Sequence, residues 1–166
     1  MENAHKLETA VLAGGCFWGM EEILRLTPGV IETNVGYTGG KTNNPGYEAV
    51  HDGATGHAES IEIKFNPAKL SYGALLDLFF KMHDPTTPNR QGNDIGTQYR
   101  SAIFYLSPVQ QKEAAAAVKR AQASGRWKRP ITTEIVAFKK FWPAEDYHQD
   151  YLQKHIGGYT CHYIRN

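Results

Sequence analysis

The stretch GGCFWG, residues 14–19, places one of only two cysteines where a thiol can react. A strand-like apolar run precedes Cys16 and a helical pattern follows it, so we predict Cys16 at the N-terminus of a helix. There the unpaired N–H groups and the helix dipole favour a thiolate and lower the thiol pKa. The alternative is an inert core residue, because free cysteines are commonly buried.

A carboxyl group at residue 59 is the second candidate. Alternation along AESIEIKF places Glu59 on one strand face with Ile61 and Ile63. A carboxyl on an apolar face needs a partner or stays protonated with a raised pKa, which is what a general acid requires. The alternative is a charge at the edge of a strand that reaches water.

Two aromatic residues and one polar loop complete the candidate chemistry. Phe17 and Trp18 directly follow the cysteine, either as core residues or as an apolar pocket beside the sulfur. Because consecutive helical residues point about 100° apart, they cannot both face the same way. The loop 83–101 carries polar side chains that predict a polar cleft: Asp94, Gln98 and Tyr99.

The elements that position these groups follow the order βαββαβαβα. Predicted strands cover 8–14, 30–40, 58–65, 99–106 and 131–138. Predicted helices cover 16–26, 71–83, 108–124 and 144–155, and Ser71 and Ser107 serve as N-caps. Single helices between strands predict an α+β fold, with a mixed sheet, flanking helices and an irregular C-terminal tail.

Composition narrows the function classes. The chain has 166 residues and a net charge of +1, which predicts one catalytic domain over 1–166 and argues against a nucleic-acid partner. We find no apolar run long enough for a membrane helix and no signal peptide, so we expect a cytoplasmic protein and a monomer. The histidines near Cys161 are spaced too irregularly for a structural zinc site, so we expect no metal.

Six segments in order resemble the A-type peptide methionine sulfoxide reductases, over about residues 8 to 163. These segments are GGCFWG, VGYTGG, PGYEAV, GATGHAESIEI, HDPTTPNRQGNDIGTQYRS and YHQDYLQKH. The resemblance implies an α+β fold and an oxidoreductase that reduces methionine S-sulfoxide, free or in oxidised proteins. It also implies thioredoxin as the reductant and no cofactor.

The resemblance assigns roles residue by residue. It implies thiolate attack by Cys16 on the sulfoxide sulfur and proton donation to the oxygen by Glu59. The aromatic pair is implied to hold the substrate methyl group. Other members of the implied site are two hydroxyl donors and one polar residue: Tyr47, Tyr99 and Asp94.

The tail from about residue 156 departs from many members of that family, which end with two recycling cysteines. Here Cys161 stands alone, and glycines at 157 and 158 precede it. The resemblance implies that attack leaves Cys16 as a sulfenic acid, which then forms a disulfide with Cys161. A single resolving cysteine puts in doubt any relay through a second disulfide.

Two other functions stay open from the residues alone. A cysteine hydrolase would need a histidine within hydrogen-bond reach of Cys16, and His51 and His57 are the candidates. A redox-sensing or methionine-binding module would have the same pocket without turnover. Release of methionine with dithiothreitol as the only reductant distinguishes these functions from the reductase.

Overall fold

The computed structural model describes residues 6–165 as a mixed six-stranded sheet with helices packed mainly on one face. The elements in chain order are β1 (Glu8–Gly14), α1 (Phe17–Arg25), β2 (Val30–Thr38), α2 (Tyr47–His51), β3 (Ala58–Phe65), α3 (Tyr72–Met82), β4 (Arg90–Gln91), β5 (Asp94–Ile95), β6 (Ser101–Tyr105), α4 (Pro108–Ala123), β7 (Glu134–Ala137), β8 (Trp142–Pro143) and α5 (Tyr151–Lys154). The predicted α+β class is confirmed.

The six-stranded sheet has the order β7-β6-β1-β3-β2-β8, and β4 and β5 form a separate two-stranded hairpin. All neighbours in the large sheet are antiparallel except β6 and β7. Consequently β1 and β2 end at the same edge at which β3 and β6 begin. Whatever follows β1 or precedes β6 is brought to that edge.

The two faces of the sheet carry different cores. One face contacts α1, α3 and α4 through a large cluster that includes Leu12, Ile61 and Phe79. The other face carries a small cluster around Phe104, against which Phe138 and Phe141 pack. The helix side therefore supplies most of the apolar burial that stabilises the fold.

Both predicted N-caps are present. The Ser71 hydroxyl accepts a hydrogen bond from the Ala74 backbone N–H, and the Ser107 hydroxyl accepts one from Gln110. Each cap satisfies an N–H that the helix itself leaves unpaired. Among the described residues, no helix is long and apolar enough to span a membrane.

The sequence pattern missed α2 and the β4–β5 hairpin, which lie in segments predicted as loops, and β8, which lies between the last predicted strand and the last predicted helix. The prediction of one helix over 144–155 is wrong, because the structure has a 3₁₀ turn at Asp146–His148 and a separate α5. Between them Asp150 adopts a left-handed φ of 53°, and its backbone N–H donates to the buried carboxylate of Glu21 at 2.6 Å. This long-range bond outweighs the local helical pattern.

Candidate active site

Cys16 lies where β1 turns into α1, as the N-cap residue of that helix. The preceding residue, Gly15, has φ 98°, and a Cβ there would lie 2.6 Å from Gln91 Cγ. Glycine is therefore required for the turn and for the close approach of the β4 side chain. This turn aims Cys16 into the sheet edge, where its side chain is 7% exposed.

Glu59 is the carboxyl group whose charge acts most strongly on the Cys16 thiol. It is 1% exposed on β3, and its Oε1 accepts a hydrogen bond from the Phe17 backbone N–H at 3.3 Å. Burial raises the pKa of Glu59 to about 8, with a smaller contribution from Asp94. At pH 7 the carboxyl is mostly protonated, as the apolar strand face predicts, and the surface-charge alternative is wrong.

The Cys16 thiol differs from the sequence expectation. Burial raises its pKa, the nearby Glu59 charge raises it further, and the Trp18 backbone N–H only partly opposes them. The expected lowering by the helix N-terminus is therefore outweighed by the loss of water around the sulfur. Cys16 rests as a thiol in the substrate-free protein.

Two tyrosine hydroxyls lie close enough to Glu59 to respond to its charge. Burial and the Glu59 charge raise the pKa of Tyr47 to about 12, and the same two causes raise the pKa of Tyr99. Tyr47 begins α2 and Tyr99 ends the 3₁₀ turn before β6, so both come from segments next to the active edge. At neutral pH both hydroxyls keep their protons and can donate hydrogen bonds.

Phe17 and Trp18 lie in different surroundings. Phe17 is fully buried, with its ring against Tyr37 and His148. Trp18 is partly exposed, stacks on Tyr151 at 3.8 Å and donates from Nε1 to His148 Nδ1 at 2.9 Å. Trp18 is thus the member of the pair that can meet a ligand from solvent.

Asp94 and Cys161 lie together on the tail side of the site. The Tyr159 hydroxyl donates to Asp94 Oδ2 at 3.2 Å, and Cys161 Sγ lies 4.0 Å from the same oxygen. Both cysteines are free thiols, and they are close enough for the charge of Cys161 to raise the pKa of Cys16. The structure therefore brings the eight residues to which the resemblance assigned roles to one edge of the sheet.

The predicted alternative of a Cys–His hydrolase finds no support at either histidine. Both ring nitrogens of His57 are engaged by the backbone of residues 40 and 42. His51 stacks on Tyr47 and contacts the Tyr99 hydroxyl at 3.3 Å. Within residues 6–165 no group of three or more metal-ligating side chains is present.

Sequence reasoning assigned no role to His148, Tyr151 and Tyr159, which all contact predicted site residues. His148 is 1% exposed, and its Nε2 has no hydrogen-bond partner among residues 6–165. The spacing of His148 and Tyr151 in the last predicted helix was the available signal. A cleft of about 650 Å³ lined by residues 39–42 and 53–56 contains none of the eight residues, so cavity size is no guide here.

A buried thiol, a protonated carboxyl group and two hydroxyls at the edge of an α+β sheet define a class of thiol-dependent enzymes with an acid beside the nucleophile. The family model described as "Peptide methionine sulfoxide reductase" matches residues 8–166. The chain belongs to this family.

Individual relatives agree with that membership. The chain is 53% identical over 156 residues to "Peptide methionine sulfoxide reductase MsrA" of Mycobacterium sp. (strain MCS), covering 94% of this chain and 89% of the relative. Among solved structures, reduced Mxr1 from Saccharomyces cerevisiae is similar with a TM-score of 0.92 and 39% identity, covering 100% and 96% of the two chains. The same yeast protein in complex with Trx2 has a TM-score of 0.66 and 28% identity, covering 100% of this chain and 95% of that one.

Proposed function

We propose that this protein reduces methionine S-sulfoxide through Cys16, with Glu59 as the acid and Cys161 as the resolving thiol. The observation that carries the proposal is the pairing of a buried Cys16 with a carboxyl group whose pKa is about 8. A sulfoxide has an electrophilic sulfur and a poor leaving oxygen, so its reduction needs a nucleophile and a proton donor together.

In the first step the Cys16 sulfur attacks the sulfoxide sulfur while Glu59 donates a proton to the oxygen. Tyr47 and Tyr99 donate hydrogen bonds to the same oxygen as negative charge develops there. The S–O bond of the substrate breaks and the oxygen passes to Cys16. Methionine and a Cys16 sulfenic acid result. The proton from Glu59 becomes the sulfenic acid proton, and the thiol proton of Cys16 passes to Glu59 and restores its acid form.

Trp18 presents the apolar surface for the substrate methyl group in this proposal. Its indole is held on both sides, by the stack on Tyr151 and by the hydrogen bond to His148. A fixed indole can accept a methyl group without losing side-chain entropy on binding. Phe17 supports the pocket from the core side.

In the second step Cys161 attacks the sulfenic acid, which gives the Cys16–Cys161 disulfide and water. Cys161 is more exposed than Cys16, so a protein dithiol meets the Cys161 sulfur first. Thioredoxin is the proposed reductant, supported by the Trx2 complex of the yeast relative. Two electrons pass from its dithiol to the disulfide and regenerate both thiols.

One catalytic domain carries both thiols in this proposal, with the tail from about residue 156 delivering Cys161. We place the protein in the cytoplasm, where a reduced thioredoxin pool keeps such thiols cycling. Fractionation of the source cells checks this placement, and recovery outside the cytoplasm contradicts it.

The test of the reaction uses purified protein, dithiothreitol and the two separated diastereomers of a methionine sulfoxide peptide. We expect the reduced methionine peptide from the S form and none from the R form, measured by chromatography. Protein with Cys16 blocked by an alkylating reagent is the matched control. Binding of the S form without methionine release would favour the binding module and overturn the proposal.

A further inference from the structure

His162, directly after Cys161, is held in the protein interior. Its side chain is 7% exposed, and Nε2 lies 2.7 Å from the Gly14 carbonyl oxygen. A carbonyl oxygen only accepts, so Nε2 carries the ring proton and donates it. The other nitrogen, Nδ1, is then an acceptor, and it lies 3.8 Å from Cys161 Sγ.

The ring keeps this protonation state at neutral pH. Burial lowers the pKa of His162 to about 4, so the imidazole is uncharged at pH 7. Since the Gly14 carbonyl fixes the tautomer, Nδ1 always offers its lone pair to the thiol. His162 thus contacts the backbone just before the nucleophile with one nitrogen and the second thiol with the other.

One glycine of the stretch GGCFWG, Gly19, leaves room for this ring, and a second, Gly15, lies in van der Waals range of it. A methyl group at Gly19 on α1 would overlap His162 Nδ1 and Thr160 Oγ1, and one at Gly15 would lie 3.4 Å from His162 Nε2. Thr160 in turn accepts a hydrogen bond from the His162 backbone N–H at 3.1 Å. The first turn of α1 is therefore shaped to receive residues 160–162, which we call the tail anchor.

We propose that His162 is the positioning residue for disulfide formation, because it fixes the tail anchor on α1 and aims Cys161 at Cys16. This inference rests on the proposed function and concerns only its second step. In that step Cys161 Sγ bonds to Cys16 Sγ, the S–O bond of the sulfenic acid breaks, and hydroxide leaves with the thiol proton as water. No further oxidant or reductant is needed.

The experiment separates the two steps in a single turnover without reductant. Methionine release is followed by rapid quench, and disulfide formation is followed as loss of free thiols. His162→Leu keeps the volume of the ring but neither hydrogen bond, and we expect disulfide formation to slow about 10²-fold, the usual cost of a small misplacement. One equivalent of methionine is still released.

His162→Gln tests the anchor specifically, because its amide N–H can still reach the Gly14 carbonyl while nothing replaces Nδ1. We expect a disulfide rate between those of wild type and His162→Leu. His155→Gln, at an exposed histidine just before the tail, is the matched control and keeps the wild-type rate. A His162→Gln rate no better than that of His162→Leu would contradict the role of the Gly14 contact.

Gly19→Ala disturbs the same contact from helix α1 and leaves every tail residue unchanged. Its methyl group displaces the tail anchor, so disulfide formation should slow while methionine is still released. This variant decides the matter if His162→Leu fails to fold. Wild-type disulfide rates in Gly19→Ala and in any folded His162→Leu overturn the inference, whereas absence of methionine release from wild type overturns the proposed function instead.

Discussion

The two thiols of this protein are held in opposite ways. Cys16 lies between β1 and α1, and the carboxyl group beside it lies on the central strand β3. Cys161 lies on irregular backbone that polar contacts attach to the body of the protein, at Gly14, Lys81 and Asp94. Attack on a sulfoxide needs groups fixed by packed elements, whereas a thiol that meets Cys16 inside and thioredoxin outside needs a segment that can detach.

The strongest test of the fixed thiol is Cys16→Ser. A serine hydroxyl is a far weaker nucleophile towards sulfur, so we expect methionine release to fall below detection with every reductant. The measurement is single-turnover chromatography, with circular dichroism to show that the fold is retained. Turnover of Cys16→Ser with dithiothreitol would mean that the nucleophile lies elsewhere.

The matching test of the thiol on the detachable tail is Cys161→Ser. We expect one equivalent of methionine at the wild-type rate and then arrest with thioredoxin, because a protein dithiol cannot reach a sulfenic acid on the buried Cys16. Dithiothreitol, a small thiol, restores part of the turnover. Sustained turnover of this variant with thioredoxin would remove Cys161 from the resolving role.

Glu59→Gln is expected to slow methionine release about 10³-fold at pH 7. Because the pKa of Glu59 is raised to about 8, the wild-type carboxyl is protonated below that pH and loses its proton above it. The wild-type rate should therefore fall as pH rises through about 8, and the deficit of the variant should be largest below 8. A pH-independent ratio of the two rates would contradict the role of Glu59 as acid.

Tyr99→Phe removes one of two hydroxyl donors and keeps the ring, so we expect a loss of about 10²-fold in the rate of methionine release. Its effect on disulfide formation should be negligible, because that step follows loss of the substrate oxygen. Rapid-quench measurements of both steps check this difference. Equal slowing of both steps would point to a displaced tail rather than a lost donor.

The smallest effect is expected from Ser71→Ala, which removes a helix cap distant from both thiols. Loss of the hydrogen bond to Ala74 should lower the free energy of unfolding by about 1 kcal/mol. Both chemical steps should keep their wild-type rates, as urea titration and single-turnover assays would show. A slowed step would mean that α3 positions the site as well as the core.

The sequence predicts local features of the site better than features that depend on distant parts of the chain. Strand alternation places Glu59 on the buried face correctly, because that pattern is local and strong. The pKa of Cys16 could not be predicted, because the loss of water around its sulfur depends on side chains from β3 and from the tail. The break at Asp150 likewise depends on Glu21, which lies 129 residues earlier.

The contact between His162 and Gly14 joins residues 148 positions apart, almost the whole chain. During synthesis the N-terminal half emerges from the ribosome first, well before residues 160–162. A nascent chain can therefore assemble the nucleophile and its acid well before the second thiol becomes accessible. Under the proposed role of Cys161, oxidation of Cys16 in that interval has no internal remedy, so the emergence of residues 160–162 is the moment at which the chain can protect its own reactive sulfur.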